Sequence, residues 1–260
     1  MAVVSAIGLV VTSAQVIANR ALFGPGALLD WGAIRHWHGT GLAARVVAAV
    51  VPADPFSVVA VAALRCTAAV ALIAAVVVGV SPAVPLAGIV AANALLTLRI
   101  PAGLTGADQM ANVVALALLV GEFAGTPGAR AMTVVFIGLQ SCLAYTTAGF
   151  VKYGQVGWHD GSFIREIFST RSLGLPVVAR WMQRSGWLPA LIGKAVVIGE
   201  CAFPLILILP PDAMVVALGL GVVFHLVAAV IMGLNTFLWV FPATYPALLY
   251  LGGWVRSVVT

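Results

Sequence analysis

Long apolar runs, separated by short stretches rich in proline, glycine and charge, constrain this sequence more than any other feature. A helix needs about 20 apolar residues to cross a hydrocarbon core of about 30 Å, and the longer runs meet that length. No run shows the alternation of a transmembrane barrel, so helices are the expected way to pair the backbone amides inside lipid. The prediction is an all-α, polytopic membrane protein with about seven to eight spans, near residues 2–19, 56–80, 84–98, 107–121, 131–151, 188–209, 212–233 and 234–255.

The composition excludes a soluble protein. Hydrophobic residues make up 62% of the 260 residues and charged residues 8%, whereas soluble domains have roughly 45–50% and about 25%. We therefore expect residues 1–260 to form one transmembrane domain in the plasma membrane, with its first helix retained. The net charge is +5, but the arginines are scattered between apolar runs. That pattern predicts contact with membrane lipids and gives no reason to expect nucleic acid as a partner.

Two connections, residues 20–55 and 152–187, carry most of the tryptophans and arginines. Segments of this composition are typical of amphipathic helices at the membrane surface. With eight spans both connections fall on one side, which the positive-inside rule makes cytoplasmic, with both termini outside. The short stretch "RIPAGLTGADQ" (residues 99–109) contains a proline and glycine break that is compatible with a re-entrant segment.

Glu200 and His225 fall near the middle of two consecutive predicted spans. An ionisable group inside a membrane costs about 2.5–3.5 kcal/mol and is a functional candidate for that reason. The short "LPPDAM" turn predicts that residues 188–233 form an antiparallel hairpin in which Glu200 and His225 meet. Such a pair would relay a proton, because each group shifts the pKa of the other. The alternative is a hydrogen bond that only fixes the hairpin.

Four other polar features have simpler alternatives. Asp108 opens a predicted helix, where a carboxylate either caps the helix or contributes to a site. Lys194 lies close enough to a helix start to extend its amine to the interface. Arg65 either does the same or pairs with an acid from another helix. The "RHWHG" stretch at residues 35–39 invites a metal site, but an interfacial amphipathic strip is favoured and no metal is predicted.

Lys152 follows the helix end "AYTTAGFV" directly, with Tyr145, Tyr153 and Trp158 around it in the sequence. An amine partly removed from water there would have a lowered pKa and would act as a base in its neutral form. The alternative is a lysine that anchors the helix end by extending to the interface. The residues alone leave both interpretations open.

Three stretches resemble a known family of membrane proteins. They are "LRIPAGLTGADQMANVVALALL" (98–119), "YTTAGFVKYGQVGWHDG" (145–161) and "GECAFPLILILP" with "FHLVAAVIMGLNTF" (199–237). Their order is similar to that in HTTM proteins, the membrane domains related to the vitamin K-dependent γ-carboxylase. The resemblance covers residues from about 50 to 250.

The resemblance implies a role for Lys152. A lysine after an "AGxxK" element is similar in position to Lys152, and in the carboxylase that lysine deprotonates vitamin K hydroquinone. Asp108, Glu200 and His225 fall on other recurring motifs, and the tyrosines and Trp158 would line the quinol. Two departures from the carboxylase are expected. Residues 1–260 are not expected to include its large extramembrane domain, and charge counting puts Lys152 on the cytoplasmic side, whereas the carboxylase site faces the lumen.

Three functions are therefore compatible with the sequence. The first is a quinol-using or peptide-modifying membrane enzyme with Lys152 as the base and a membrane quinol as cofactor. The second is a non-catalytic membrane component that supports the maturation or export of a small secreted peptide, with or without a partner membrane protein. The third is a small transporter or binding scaffold.

Overall fold

The chain folds into α-helices. The computed structural model describes residues 1–51, 53–101, 105–170 and 173–259, and every regular element in these ranges is an α-helix or a 3-10 turn. The all-α prediction is confirmed. Four helices are long and apolar enough to cross a membrane, at Pro55–Val78, Gly106–Ala124, Pro127–Tyr153 and Pro211–Met232, and two shorter apolar helices lie at Ala2–Ala18 and Ala83–Arg99. The protein is therefore a helical membrane protein.

The first of two compact units comprises Met1–Thr133. Its helices are α1 (Ala2–Ala18), α2 (Trp31–Ile34), α3 (Leu42–Val50), α4 (Pro55–Val78), α5 (Ala83–Arg99) and α6 (Gly106–Ala124). α4 packs against both α1 and α5, and α5 packs against α6. The core between these helices combines alanines, which are small enough for helices to pack closely, with larger aliphatic residues: Ala6, Leu9, Ala68, Ala69, Leu72, Leu86, Ile89 and Ala115.

Local capping explains where the helices of this unit begin and end. α4 begins after Asp54, whose carboxylate accepts a hydrogen bond from the Ser57 amide at 2.9 Å. It ends at Gly79, which has a φ of 77° that glycine adopts without strain. α6 likewise ends at Gly125 with a φ of 67°. The predicted limits 56–80 and 107–121 therefore agree with the structure to within three residues.

The second unit comprises Val134–Thr260, and the long helix α7 (Pro127–Tyr153) runs into it. The helices that follow are α8 (Val156–His159), α9 (Ser162–Ser169), α10 (Pro176–Arg184), α11 (Leu188–Cys201), α12 (Pro211–Met232) and α13 (Asn235–Val259). α12 packs along α13. Their core includes Cys142, Ile206, Met214, Leu218, Tyr245 and Leu248.

The predicted span 188–209 is not one continuous α-helix. α11 ends at Cys201, and a 3-10 turn follows at Phe203–Ile208. Pro204 explains the break, because a proline has no amide hydrogen and its ring clashes with the carbonyl of the residue four positions earlier, here Glu200. The predicted antiparallel hairpin of α11 with α12 is not a main packing contact of the described residues. α12 packs chiefly along α13 instead.

Both connections contain short helices with exposed tryptophans. The first connection holds α2 and α3 and two 3-10 turns, Arg20–Phe23 and Arg35–His38, and the second holds α8, α9 and α10. Trp37, Trp181 and Trp187 are all more than 60% exposed, as expected for segments at a membrane surface. The predicted re-entrant break lies partly in residues 102–104, which are outside the described residues.

Candidate acid–base site

One face of α7 carries a row of polar residues and a glycine in the second unit. Ser141, Tyr145 and Gly149 are buried at intervals of four residues, and Lys152 follows three residues later. Residues three and four apart lie on the same side of a helix. The face therefore presents a hydroxyl, a phenol, a gap without a side chain and an amine in that order toward the other helices of the unit.

Gly149 lets α7 and α11 touch backbone to backbone. A Cβ atom at this position would lie 2.6 Å from the Cys201 amide nitrogen and 2.9 Å from the Glu200 carbonyl carbon. Real Cβ atoms essentially never come that close, so only glycine fits without a shift. The contact places Lys152, one turn further along α7, next to Glu200 on α11.

Lys152 and Glu200 form an ion pair. Lys152 Nζ donates to Glu200 Oε2 at 2.6 Å, and the two side chains are 22% and 14% exposed. A bond of this length between charged groups is a strong, charge-assisted hydrogen bond. In the part of the chain that the structure describes the other ion pair, Arg130–Glu122 at 3.5 Å, leaves its arginine 62% exposed. Lys152–Glu200 is thus the shorter and more buried pair.

Trp158 lies beside this pair. The Lys152 ammonium is 5.4 Å from the centroid of the Trp158 ring, within the range of a cation–π interaction. Trp158 belongs to α8, and its carbonyl lies against Gly193 of α11, where a Cβ would overlap it. The glycine therefore permits α8 to fold back against α11 and to bring the indole to the amine.

Asp160 fixes the turn after α8. Its carboxylate accepts a hydrogen bond from the Ser162 amide at 2.8 Å. This hydrogen bond lowers the pKa of Asp160, so the exposed carboxylate stays ionised at neutral pH. The charge stabilises the start of α9 and does not reach the ion pair through any described hydrogen bond.

A second polar cluster surrounds Tyr145. Its hydroxyl is 2.5 Å from His225 Nε2 on α12 and 3.3 Å from the Tyr245 hydroxyl on α13. Its ring stacks on Phe203 at 3.7 Å, and the His225 ring stacks on Phe241 at 5.2 Å. His225 is 2% exposed, and its Nδ1 has no hydrogen-bond partner among the described residues. The His225 imidazole is thus positioned by stacking on Phe241 and by the Tyr145 hydroxyl.

The predicted contact between Glu200 and His225 is wrong. Each side chain instead takes a partner on α7, Lys152 for Glu200 and Tyr145 for His225. The physical reason is that Gly149 admits α11 close to α7, while α12 packs along α13. A carboxylate finds a better partner in an ammonium than in a neutral imidazole, because the pair is charge-assisted.

The three predicted aromatic neighbours of Lys152 separate in the structure. Trp158 contacts the amine, whereas Tyr145 faces His225 two turns away. Tyr153 is 64% exposed and meets His159 edge to face at 5.6 Å. Of these residues, the structure brings only Trp158 to the ion pair.

Asp108 belongs to the first unit and has a capping role there. Its carboxylate accepts from the Thr105 amide at 2.9 Å and from the Thr105 hydroxyl at 2.7 Å, which completes a capping box at the start of α6. The capping interpretation is therefore confirmed. A catalytic role for Asp108 stays a prediction without a supporting contact among the described residues.

The other two cations inside predicted spans differ from Lys152. Lys194 is exposed on α11, as expected for an amine that extends to the interface. Arg65 donates to neutral groups on α1 and α5, at 2.8 Å to Ser13, 3.2 Å to Thr12 and 3.5 Å to Asn93. It forms no ion pair in the described residues, and Asp108 contributes only a longer-range attraction.

No family model matches the sequence, and neither a curated protein nor a solved structure is similar to it. The site is therefore interpreted from its own geometry. The sequence interpretation missed the partner of Glu200 and the role of Gly149. The available signals were the glycine one turn before Lys152 and the proline four residues after Glu200.

Proposed function

We propose that the protein is a membrane enzyme in which Lys152 and Glu200 move a proton to or from a membrane-dissolved substrate. The observation that supports this most directly is the 2.6 Å contact between Lys152 Nζ and Glu200 Oε2, with both side chains largely covered. Taking two charged groups out of water costs free energy that their mutual attraction does not fully offset. A purely structural contact would therefore be as stable, or more stable, with apolar side chains. A pair that exchanges protons has a reason to be retained.

The proton chemistry follows from the two groups. Within the pair a proton passes from the Lys152 ammonium to the Glu200 carboxylate and leaves a neutral amine next to a carboxylic acid. That amine accepts a proton from an acidic hydroxyl and becomes an ammonium again. Trp158 stabilises this charged form through its ring face. Positioned groups of this kind accelerate proton transfer by about 10²–10⁴-fold.

A membrane quinol fits these residues as the cofactor that the HTTM resemblance implies. When bound, a quinol supplies an acidic hydroxyl at membrane depth. Lys152 and Glu200 would hold this hydroxyl, with the amine as proton acceptor only in its neutral form, and Trp158 would stay beside the amine. Tyr145 and His225 are proposed to fix α7 against α12, since they form a hydrogen bond with each other.

The test measures deprotonation directly. The purified protein is mixed with a reduced naphthoquinone in anaerobic micelles, and the absorbance of the quinolate anion is recorded. The wild type is expected to show bound quinolate near neutral pH, whereas Lys152→Arg is expected to show none. Guanidinium stays protonated and cannot accept a proton, although it anchors a helix end as well as an amine does.

Lys194→Arg is the matched control, because Lys194 is an exposed lysine of α11. It should leave the quinolate signal unchanged. A wild-type signal from Lys152→Arg would end the base hypothesis. It would favour the alternative, a non-catalytic membrane component that supports maturation or export of a secreted peptide.

The proposed location is the plasma membrane, with several crossings and both termini outside. The apolar helices and the arginines of the two connections support this orientation. A reporter fused after Thr260 is expected to be periplasmic. Cytoplasmic activity of that reporter would show that the number of crossings is odd or that the orientation is reversed.

A further inference from the structure

Arg99, the last residue of α5, is fully buried in the first unit. It is 0% exposed, and its Nη2 donates to the Leu29 carbonyl at 2.7 Å. Its guanidinium lies 5.3 Å from the Phe23 ring centroid and 5.2 Å from the Trp31 ring centroid. The connection between α1 and α4 thus folds over the end of α5 and encloses a cation.

Two nitrogens of this guanidinium have no acceptor. Nε and Nη1 are buried and lack a hydrogen-bond partner among the described residues. His38 Nε2 is likewise buried without a partner among the described residues, and the His38 ring centroid is 6.0 Å from that of Trp31, the ring that Arg99 also contacts. Each unsatisfied buried donor costs about 1–3 kcal/mol, and more when it carries charge. Two side chains that both contact the Trp31 ring thus carry buried polar nitrogens without a partner, which points to an acceptor that binds beside this indole.

The protein supplies little negative charge at this place. Asp30 attracts Arg99 only at longer range. Its carboxylate is already occupied by the amides of Gly26 at 3.0 Å and Gly32 at 3.1 Å. Those backbone hydrogen bonds lower the pKa of Asp30 and keep it ionised, but they also hold it in the turn before α2.

We propose that Arg99 and His38 form a binding site for the phosphate group of an anionic phospholipid. A guanidinium presents several donors in a planar fork that matches phosphate oxygens, and the imidazole adds one more. Because the unpaired nitrogens are covered by residues 20–38, binding requires this connection to open at Trp31. The proposal is independent of the proton chemistry at Lys152.

The surroundings favour a lipid over a soluble phosphate. Trp37, in the 3-10 turn after α2, is 70% exposed, and Leu42, the first residue of α3, is 76% exposed. Arg35 and Arg45 in the same segment are exposed. Exposed apolar side chains mixed with cations are typical of a segment that rests among lipid headgroups. Phosphate groups are concentrated at that depth.

A simpler role for Arg99 explains only part of the geometry. The guanidinium attaches the connection to α5 through Leu29 and two aromatic rings. That role needs one donor, and it does not account for the unpaired Nε and Nη1 or for His38 Nε2.

The test compares lipid binding by native mass spectrometry and by thermal stability in detergent. Phosphatidylglycerol is expected to bind the wild type and raise its melting temperature, whereas phosphatidylcholine has little effect. Arg99→Gln is expected to weaken phosphatidylglycerol binding about tenfold, which corresponds to about 1.4 kcal/mol. His38→Phe keeps a ring against Trp31 and removes Nε2, so a loss of about threefold is expected.

Arg35→Gln is the matched control, because it removes one exposed positive charge from the same connection. It should weaken phosphatidylglycerol binding less than Arg99→Gln does, because the unpaired nitrogens of Arg99 and His38 remain. If Arg99→Gln does not fold, His38→Phe and Arg99→Lys decide the question. Equal lipid binding by the wild type, His38→Phe and the folded Arg99 variant would overturn the proposal. Inorganic phosphate that stabilises lipid-free protein as well as the lipid does would overturn the lipid assignment.

Discussion

The two units hold their internal cations in different ways. In the first unit Arg65 donates to three neutral side chains on α1 and α5. In the second unit Lys152 donates to a carboxylate at 2.6 Å. Arginine stays protonated in proteins, whereas lysine and glutamate both lose and gain protons in accessible ranges. The first arrangement therefore holds a fixed charge, and the second joins the two groups that exchange protons in the proposed function.

The different partners of Arg65 and Lys152 indicate which of the two cations is suited to proton transfer. The hydroxyl and amide groups around Arg65 accept hydrogen bonds from the guanidinium, but they are too weakly basic to take its proton. A carboxylate next to an amine provides both an acceptor and a donor. An ionisable side chain inside a membrane is a functional candidate, but its partners decide which kind of function it can have.

The largest effect on stability is expected from breaking the ion pair. Glu200→Leu leaves the Lys152 ammonium covered and unpaired, so the free energy of unfolding in mixed micelles should fall by about 3–5 kcal/mol. The double variant Lys152→Met with Glu200→Leu removes both charges and should recover most of this loss. A double variant as unstable as Glu200→Leu would show that packing, and not charge, causes the loss.

A medium effect is expected from filling the gap at Gly149. An added methyl group would overlap the α11 backbone, so Gly149→Ala should destabilise the protein by about 1–3 kcal/mol and separate Lys152 from Glu200. Gly199→Ala is the control, because nothing lies within 4 Å of its Cβ position. That control should be neutral or gain up to about 1 kcal/mol. Equal stability of the two variants would contradict the close contact.

The smallest effect is expected in the first unit. Arg65→Met removes three hydrogen bonds but also removes the cost of placing a charge among apolar helices, about 2.5–3.5 kcal/mol. The net change in the free energy of unfolding should be about 0–2 kcal/mol. Thr12 still donates to the Leu9 carbonyl at 3.3 Å and needs no new partner. A loss as large as that of Glu200→Leu would remove the distinction between the two units.

The sequence predicted the helices better than their contacts. Proline, glycine and charge bound the apolar runs, so the prediction of 2–19 for Ala2–Ala18 and of 212–233 for Pro211–Met232 needed only local rules. The sequence also singled out Lys152, Glu200 and His225 because each is costly inside a membrane. Their pairing depends on which helices approach most closely, and no local rule gives that distance.

The face of α7 that carries Tyr145, Gly149 and Lys152 restricts where the chain can tolerate inserted residues. These residues contact α12, α11 and again α11 in turn. One residue inserted between Tyr145 and Gly149 would rotate everything beyond it by about 100° and turn the amine away from Glu200. The same insertion next to the exposed Gly186, between α10 and α11, would only lengthen a surface segment. Differences in length among natural variants should therefore accumulate in the second connection and be absent from the last three turns of α7.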